Sequence, residues 1–526
     1  MSQLRRNLIA NVAGRGWATL SIYLFVPFYL ELLGVEAYGL VASYALLLNV
    51  LVVADLGVKA TLSRELARLS SAAGNAQAMR DLLRTAEIIF LAISTAMAAA
   101  LVSAAPVLTR NWLNPQAMAA ETMINAFRLM GLSIALYFLS QLPQAGLLGL
   151  QRHVVLNTVL IGMGFVRGVG SILVLWLVTP TITAFFAFQV LVNAMQAGVL
   201  AWALWRALPP SGAPPQFRGE LLRSTWRYTL GMALISLNAA VLSQLDRLVV
   251  SRWLPLSAFG VYSLASMMAQ TPVLLVGPLS TAVLPWFTQL VQLNRKKELE
   301  LAYHKFCQLA VIVAGPLAAV LTVLPGEVML AWTGDINVAA SAGRFTPQLA
   351  LGSLCLALQV IPYCLCLSHG YTKLNVLIGL ISLLIFAPLT AWLVSSCGSQ
   401  GVAWAWLCLH ASIVLIYVPL LHHRLLPGST WAWYLFDCGA PLLAAMAVCF
   451  SARLLMPCDL ASVVRIVWLG SVWLIASFAA CVTAPQMRAH LLGLATQGFA
   501  ILWARHQSDS VTVIPASNLP PTPGRS

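Results

Sequence analysis

The chain has 526 residues, 60% of them hydrophobic and only 9% charged, with a mean hydropathy of +0.85. A soluble domain is about a quarter charged, so a soluble globule of this length is excluded and the chain reads as a polytopic membrane protein. The net charge of +14 then reflects loop bias and a few intramembrane cations, and no nucleic-acid partner is expected.

A bilayer core takes about 20 apolar residues per helix. About fourteen such runs follow one another, near 15–33, 38–57, 86–108, 122–147, 154–178, 183–205, 228–250, 259–288, 306–330, 346–369, 374–395, 400–421, 434–456 and 463–483. Arg5, Arg6 and Arg15 lead into the first run, and no small-residue cleavage site follows at signal-peptide distance, so an uncleaved span is expected. Pro27, Pro143, Pro272, Pro278 and Pro316 interrupt individual runs, which membrane helices tolerate when neighbours re-satisfy the backbone. The stretches near Thr109–Glu121 and Trp332–Arg344 are the longest outer loops, about 13 residues each. They leave no room for an external catalytic domain. After Gln507 the chain is rich in Ser, Pro and Thr and is expected to be disordered.

With the N-terminus placed inside, twenty-two of the 30 Lys and Arg residues fall on the cytoplasmic side, five on the other side and three within spans. That asymmetry predicts that both termini are cytoplasmic. None of the ten cysteines precedes Cys307 and no Cys-x-x-Cys pair occurs, which points to apolar packing rather than a zinc or redox centre. No phosphate-binding loop, His-Glu-x-x-His pair or nucleophile elbow appears. His422-His423-Arg424 sits at an inner helix end, where cations are expected. The chain is therefore read as a non-enzyme with no cofactor and no metal.

An internal repeat is visible at a fixed offset of 221 residues. Leu33-x-x-x-Ala37-Tyr38-Gly39-Leu40 recurs as Leu254-x-x-x-Ala258-Phe259-Gly260-Val261, Gly149-x-x-Arg152 recurs as Gly370-x-x-Lys373, and Gly131 falls on Gly352. Six helices return the chain to its starting side, so the halves are parallel repeats about an axis along the membrane normal, enclosing a cavity between them. The predicted fold class is all-α integral membrane, with two six-helix repeats plus two extra C-terminal helices. The expected organisation is an N-terminal lobe at 1–206, a cytoplasmic linker at 207–227, a second lobe at 228–424, two added helices at 425–485 and a cytoplasmic tail at 486–526.

The intramembrane charges do not obey the repeat. Arg128, Arg167 and the Asp246-Arg247 pair fall on uncharged positions when shifted by the offset, as a site for one asymmetric ligand requires and a structural role tolerates. An Arg at a helix centre costs about 2.5–3.5 kcal/mol on insertion scales. Arg167 stands mid-helix among Gly162, Gly164, Gly168 and Gly170, which permit either close helix approach or a locally unwound segment. It is read as an anion ligand or as a structurally paired cation. Arg128 and Arg247 lie nearer helix ends. Asp246 is either the counter-charge of Arg247 or the partner of another helix, since i and i+1 do not face each other. Asp55 is either an ion-coupling carboxylate or a capped structural residue, and Asp246 is a second candidate for ion coupling. Gln189, Asn193 and Gln196 share one helix face; Ser133, Tyr137, Gln141 and Gln144 share another; and Ser236, Ser243 and Arg247 share a third. Such stripes suit sugar hydroxyls in a wet cavity and equally suit interhelical hydrogen bonds.

The stretch SQLDRLVVSRWLPLSAFGVYSLA, with LLGVEAYGLV at 32–41, ADLGVKA at 54–60, GLLGLQR ending at Arg152 and the Pro278/Pro285 pair, resembles polysaccharide-repeat-unit (O-antigen type) flippases. These belong to the multidrug/oligosaccharidyl-lipid/polysaccharide exporter superfamily. The ordered set spans nearly the whole chain. The resemblance implies alternating access and outward movement of undecaprenyl-diphosphate-linked oligosaccharides across the bacterial inner membrane. It also implies membrane lipid as surroundings, and a polysaccharide polymerase and chain-length regulator as partners. Glu31 stands where the family often has a basic residue, and the first-helix basic cluster of peptidoglycan-precursor flippases is not matched beyond Arg15, which weighs against that substrate. The alternatives are a multidrug/cation antiporter of the same superfamily, which would want carboxylates in its cavity, and a membrane glycosyltransferase or polymerase, which would want a sizeable outer loop.

Overall fold

The computed structural model describes residues 3–51, 57–71, 74–219, 243–457 and 461–489. Within them the chain is helical, and its one β-type contact is an isolated bridge between Asn114 and Pro255. In chain order the first half comprises α1 (Gln3–Leu51), α2 (Val58–Ser70), α3 (Ala76–Asn111), α4 (Ala120–Gly149), α5 (His153–Leu177) and α6 (Ile182–Ala207). The second begins with a helical segment at 243–253 (α7). There follow α8 (Leu256–Ala269), α9 (Thr271–Gln292), α10 (Lys296–Val323), α11 (Pro325–Thr333), α12 (Ile336–Ala342), α13 (Thr346–Leu358), α14 (Val360–Ser368) and α15 (Thr372–Leu425). Two further helices close the described chain: α16 (Thr430–Leu454), which carries a π-helical turn at Trp433–Gly439, and α17 (Ser462–Thr483).

Eleven helices or end-to-end helix pairs are long and apolar enough to cross a bilayer, and two of these are hairpins. In α1, Gly34 leaves the helical region at φ 79° and ψ 168°, a conformation that only glycine adopts cheaply. Tyr29 and Tyr44 would stand about 22 Å apart in a straight helix. Instead their rings lie 5.2 and 5.5 Å from those of Phe185 and Phe186, which are 5.3 Å from each other. The chain has turned back on itself. Gly398, at φ 58° and ψ −142°, does the same in α15. Phe386 and Trp406 face each other at 6.2 Å, and Tyr417 donates to Asn375 at 2.8 Å. Thirteen crossings result among the described residues. The run expected near 228–250 lies outside them except for its end in α7.

Two expected loops are helices. Residues 58–70 form α2, whose Leu62 and Leu66 are buried while Arg64 and Arg68 pair with Glu65. Burial works against the charge of that carboxyl, but the two guanidiniums more than offset it and hold Glu65 below its usual range. The outer stretch near Trp332–Arg344 folds into the ends of α11 and α12, the latter capped by Asp335 accepting from the N–H groups of Asn337 and Val338.

The repeat is visible in space. A Cβ on Gly39 would sit 2.5 Å from the Leu256 carbonyl oxygen, and one on Gly260 would sit 2.6 Å from that of Val35. Val35 and Leu256 are themselves 221 residues apart, so the two copies of one motif pack on each other reciprocally, as a two-fold axis demands. Around this contact the halves are laced together. Trp112 donates to Ser251 at 3.0 Å, the Asn114 side chain to the Arg252 carbonyl at 3.0 Å, the Leu256 N–H to the Asn114 carbonyl at 2.9 Å, and Ser257 to Gln116 at 3.1 Å. Deeper along α1, Tyr23 donates to the Met267 carbonyl at 3.1 Å and Trp332 to the Tyr23 carbonyl at 2.8 Å. The two added helices, α16 and α17, pack on α10 through Ala319, Val320, Ala445, Cys449, Val472 and Ala476.

Candidate functional site

Arg167 lies halfway along α5, which is helical throughout. The glycines beside it therefore serve close packing, not unwinding. A Cβ on Gly168 would fall 2.0 Å from the Phe25 ring, and one on Gly164 would fall 2.9 Å from the Trp17 indole nitrogen. This seam brings the first arm of α1 against α5 and directs the Arg167 side chain toward α6. There one terminal nitrogen donates to the side-chain oxygens of Asn193 at 2.7 Å and Gln196 at 2.9 Å.

Those amides are fixed in turn. Asn193 donates to the Ser133 hydroxyl at 2.8 Å and to the Tyr44 hydroxyl at 3.1 Å, and these two hydroxyls bond each other at 2.9 Å. Gln196 donates to Ser140 at 3.3 Å, and Gln189 donates to Ser171 at 3.1 Å. Gln189, Asn193 and Gln196 are all buried, so the α6 stripe points into the N-terminal half and holds Arg167 from behind. Among the described residues no carboxylate takes part. A guanidinium has five N–H donors, and the protein engages two of them. What remains is a positive charge oriented by neutral acceptors, with its fork still free for an anion to accept from it.

The Asp246 and Arg247 side chains form no close ion pair, although the Arg247 charge acts on the Asp246 carboxylate. One Asp246 oxygen accepts from Tyr262 at 2.8 Å while the other is buried without a partner. Arg247 donates to Ser266 at 3.2 Å, and its Nε is buried with no acceptor. Arg247 stands within electrostatic reach of Tyr23 on the first arm of α1 and of Tyr38 just past its Gly34 turn. Arg128 is exposed on α4 with a single 3.4 Å bond to Asn125. Tyr137 and Gln141 are half-buried on α4, and their side chains are outside the Arg167 network. Asp55 and Ser236 lie outside the described residues.

Three partner groups escaped the sequence reading: Tyr44 and Ser140 in the Arg167 network, and Tyr262 beside Asp246. Ser140 sits two turns beyond Ser133 on α4, a spacing legible in the sequence. Tyr44 and Tyr262 carry no local signal, because their partners lie across a hairpin or on another helix.

The profile of a family described as "Polysaccharide biosynthesis protein" matches residues 31–336. No curated protein matches the chain. Among solved structures, the inward-facing conformation of a multidrug resistance MATE family transporter of the MOP superfamily is similar with a TM-score of 0.65 at 13% identity, covering 81% of this chain and 95% of that one. The lipid II flippase MurJ in its inward closed conformation is similar with a TM-score of 0.65 at 15% identity, covering 90% and 97%. The MATE multidrug transporter DinF-BH in complex with R6G follows at 0.58 and 15% identity, covering 80% and 95%. At these identities the likeness carries the fold, an all-helical bundle of many apolar helices, and nothing finer.

Proposed function

Because the chain belongs to the polysaccharide biosynthesis protein family, we propose that it flips undecaprenyl-diphosphate-linked oligosaccharide repeat units from the cytoplasmic to the periplasmic leaflet of the bacterial inner membrane. The observation that carries this reading is Arg167, a mid-helix cation braced by Asn193 and Gln196 and answered by no carboxylate among the described residues. Its free N–H groups receive the diphosphate. Arg247, with one bond to Ser266, and Arg128 add positive field along the route.

Both termini lie in the cytoplasm on this reading, so the laced end around Gly34 faces the periplasm and substrate enters from the opposite side. An inside-negative potential then assists export, by about 2.3 kcal/mol per elementary charge per 100 mV. A polysaccharide polymerase and its chain-length regulator take the product. Tyr137 and Gln141 offer polar groups to the sugars, while Gln189, Asn193 and Gln196 act through Arg167. Asp246, buried with one unpartnered oxygen, is the group suited to an exchanged proton or sodium ion.

The test is the leaflet distribution of lipid-linked glycan in cells carrying Arg167→Ala or Arg167→Lys at wild-type protein levels. Loss of a charge-assisted contact corresponds to about a tenfold or larger fall in export for the alanine variant, with partial export kept by lysine. Normal surface glycan in Arg167→Ala would overturn the assignment. The same free Asp246 oxygen is what favours a cation antiporter as the second reading, and efflux of cationic dyes that survives removal of Arg167 would select it.

A further inference from the structure

On the outside of the N-terminal half, where the end of α4, the start of α5 and the end of α6 converge, lies a cavity of about 280 Å³. Leu147, Val155, Trp202 and Ala203 make its apolar wall, and Arg152 and Arg206 its rim. Arg206 closes the last turn of α6 and lies over the Trp202 ring at 5.2 Å. Arg152 precedes the first turn of α5, and its side chain has no partner among the described residues. Two arginines thus line one cavity, and among the described residues no carboxylate lines it with them.

The surface leading to this cavity is as specific as the cavity itself. Leu191, Met195, Val199 and Trp202 recur at helical spacing along α6 and are exposed, Trp202 to 61%. The neighbouring exposed positions, Ala194 and Gly198, are also apolar. A face with no polar atom but backbone is hydrocarbon-facing, and a Trp at its end marks the depth of the headgroups. The geometry therefore presents, in one line, a track for an acyl chain, an aromatic ring at the interface and a pair of cations beyond it. In the second half the counterpart of Arg152 is Lys373, but the position matching Arg206 is Pro427.

We infer that this cavity is a binding site for an anionic glycerophospholipid, its phosphodiester held by Arg152 and Arg206 and one acyl chain lying along Leu191, Met195 and Val199. Basic pockets between membrane helices take anionic headgroups in this way. A polyprenyl diphosphate has the same two-part chemistry. The groove commits to the glycerophospholipid because its two cations are exposed at headgroup depth, whereas the proposed substrate cation, Arg167, is held inside the bundle. The site is independent of the transport assignment above.

Binding to the full-length purified protein, stripped of lipid and titrated separately with dioleoylphosphatidylglycerol, dioleoylphosphatidylethanolamine and undecaprenyl diphosphate, tests the inference by native mass spectrometry. Wild type should prefer the glycerol lipid over the ethanolamine lipid by at least about tenfold. Arg152→Ala/Arg206→Ala should lose about thirtyfold of that affinity, from two basic contacts, while Arg152→Lys/Arg206→Lys keeps most of it and Arg167→Ala keeps all of it. Equal binding of the two phospholipids by wild type overturns the inference without needing any variant to fold. So does wild-type affinity in the double alanine variant, or a preference of this site for undecaprenyl diphosphate over the glycerol lipid.

Discussion

A cation in hydrocarbon must be solvated by something, and at Arg167 the solvent is made of amides. Asn193 and Gln196 offer oxygens that carry no formal charge, so the guanidinium is positioned without being neutralised. Asp246 shows the complementary arrangement: a carboxylate with one oxygen bound by Tyr262 and the other free, beside an arginine with which it forms no close ion pair. A buried anion with a spare lone pair invites a proton or a metal cation. Replacement of Asp246 by Asn keeps an acceptor for Tyr262 and removes the charge. We expect the variant to accumulate normally yet export glycan without dependence on an imposed proton or sodium gradient, assayed in vesicles with the gradient collapsed by ionophore. Gradient-dependent export that persists in Asp246→Asn would exclude the residue from coupling. The presence of these charges is legible in the sequence, because an Arg or Asp inside an apolar run is rare. Their company is not, since Tyr44 reaches Asn193 across 149 residues and Tyr262 reaches Asp246 from another helix.

At the scale of the element, what the sequence discloses is apolar length, and what it hides is where a helix turns. The two hairpins were separable into their four spans because Gly34 and Gly398 fall between runs, each with a positive φ that glycine accommodates. The helices α2, α11 and α12 were invisible as membrane elements, being too short to cross and amphipathic or interfacial. The glycine-rich part of α5 left two readings open, and the structure takes the packing one. Phe25 is buried against Gly168, so the ring cannot swing aside. Gly168→Ala should therefore lower stability by about 1–3 kcal/mol as an overpacked contact, read as reduced thermal stability in detergent. Adding Phe25→Ala should restore part of the loss, since the new methyl then occupies vacated space. If the two losses simply add, the steric account of this seam is wrong.

At the scale of the whole molecule, the duplication explains both the symmetry and where it is broken. Gly39 and Gly260 are each other's counterparts and each packs on the counterpart of its own neighbour, Gly39 on Leu256 and Gly260 on Val35, so the lobes meet through one motif used twice. The surrounding contacts are not symmetric: Asn114 and Gln116 come from the segment between α3 and α4, and they clasp Arg252, Leu256 and Ser257 of the other half. The proposed flipping by alternating access would need this clasp to open while the opposite end closes. The contacts are few and mostly neutral hydrogen bonds of modest net worth, which suits a gate that must part in every cycle. A disulfide between Gln116→Cys and Ser257→Cys would hold the gate shut. Introduced in a background lacking the native cysteines, it should stop export under oxidising conditions and release it on reduction, with the reduced double variant close to its parent. Export that continues with the disulfide fully formed would mean that the halves do not separate along this seam, and substrate would have to leave by another face of the molecule.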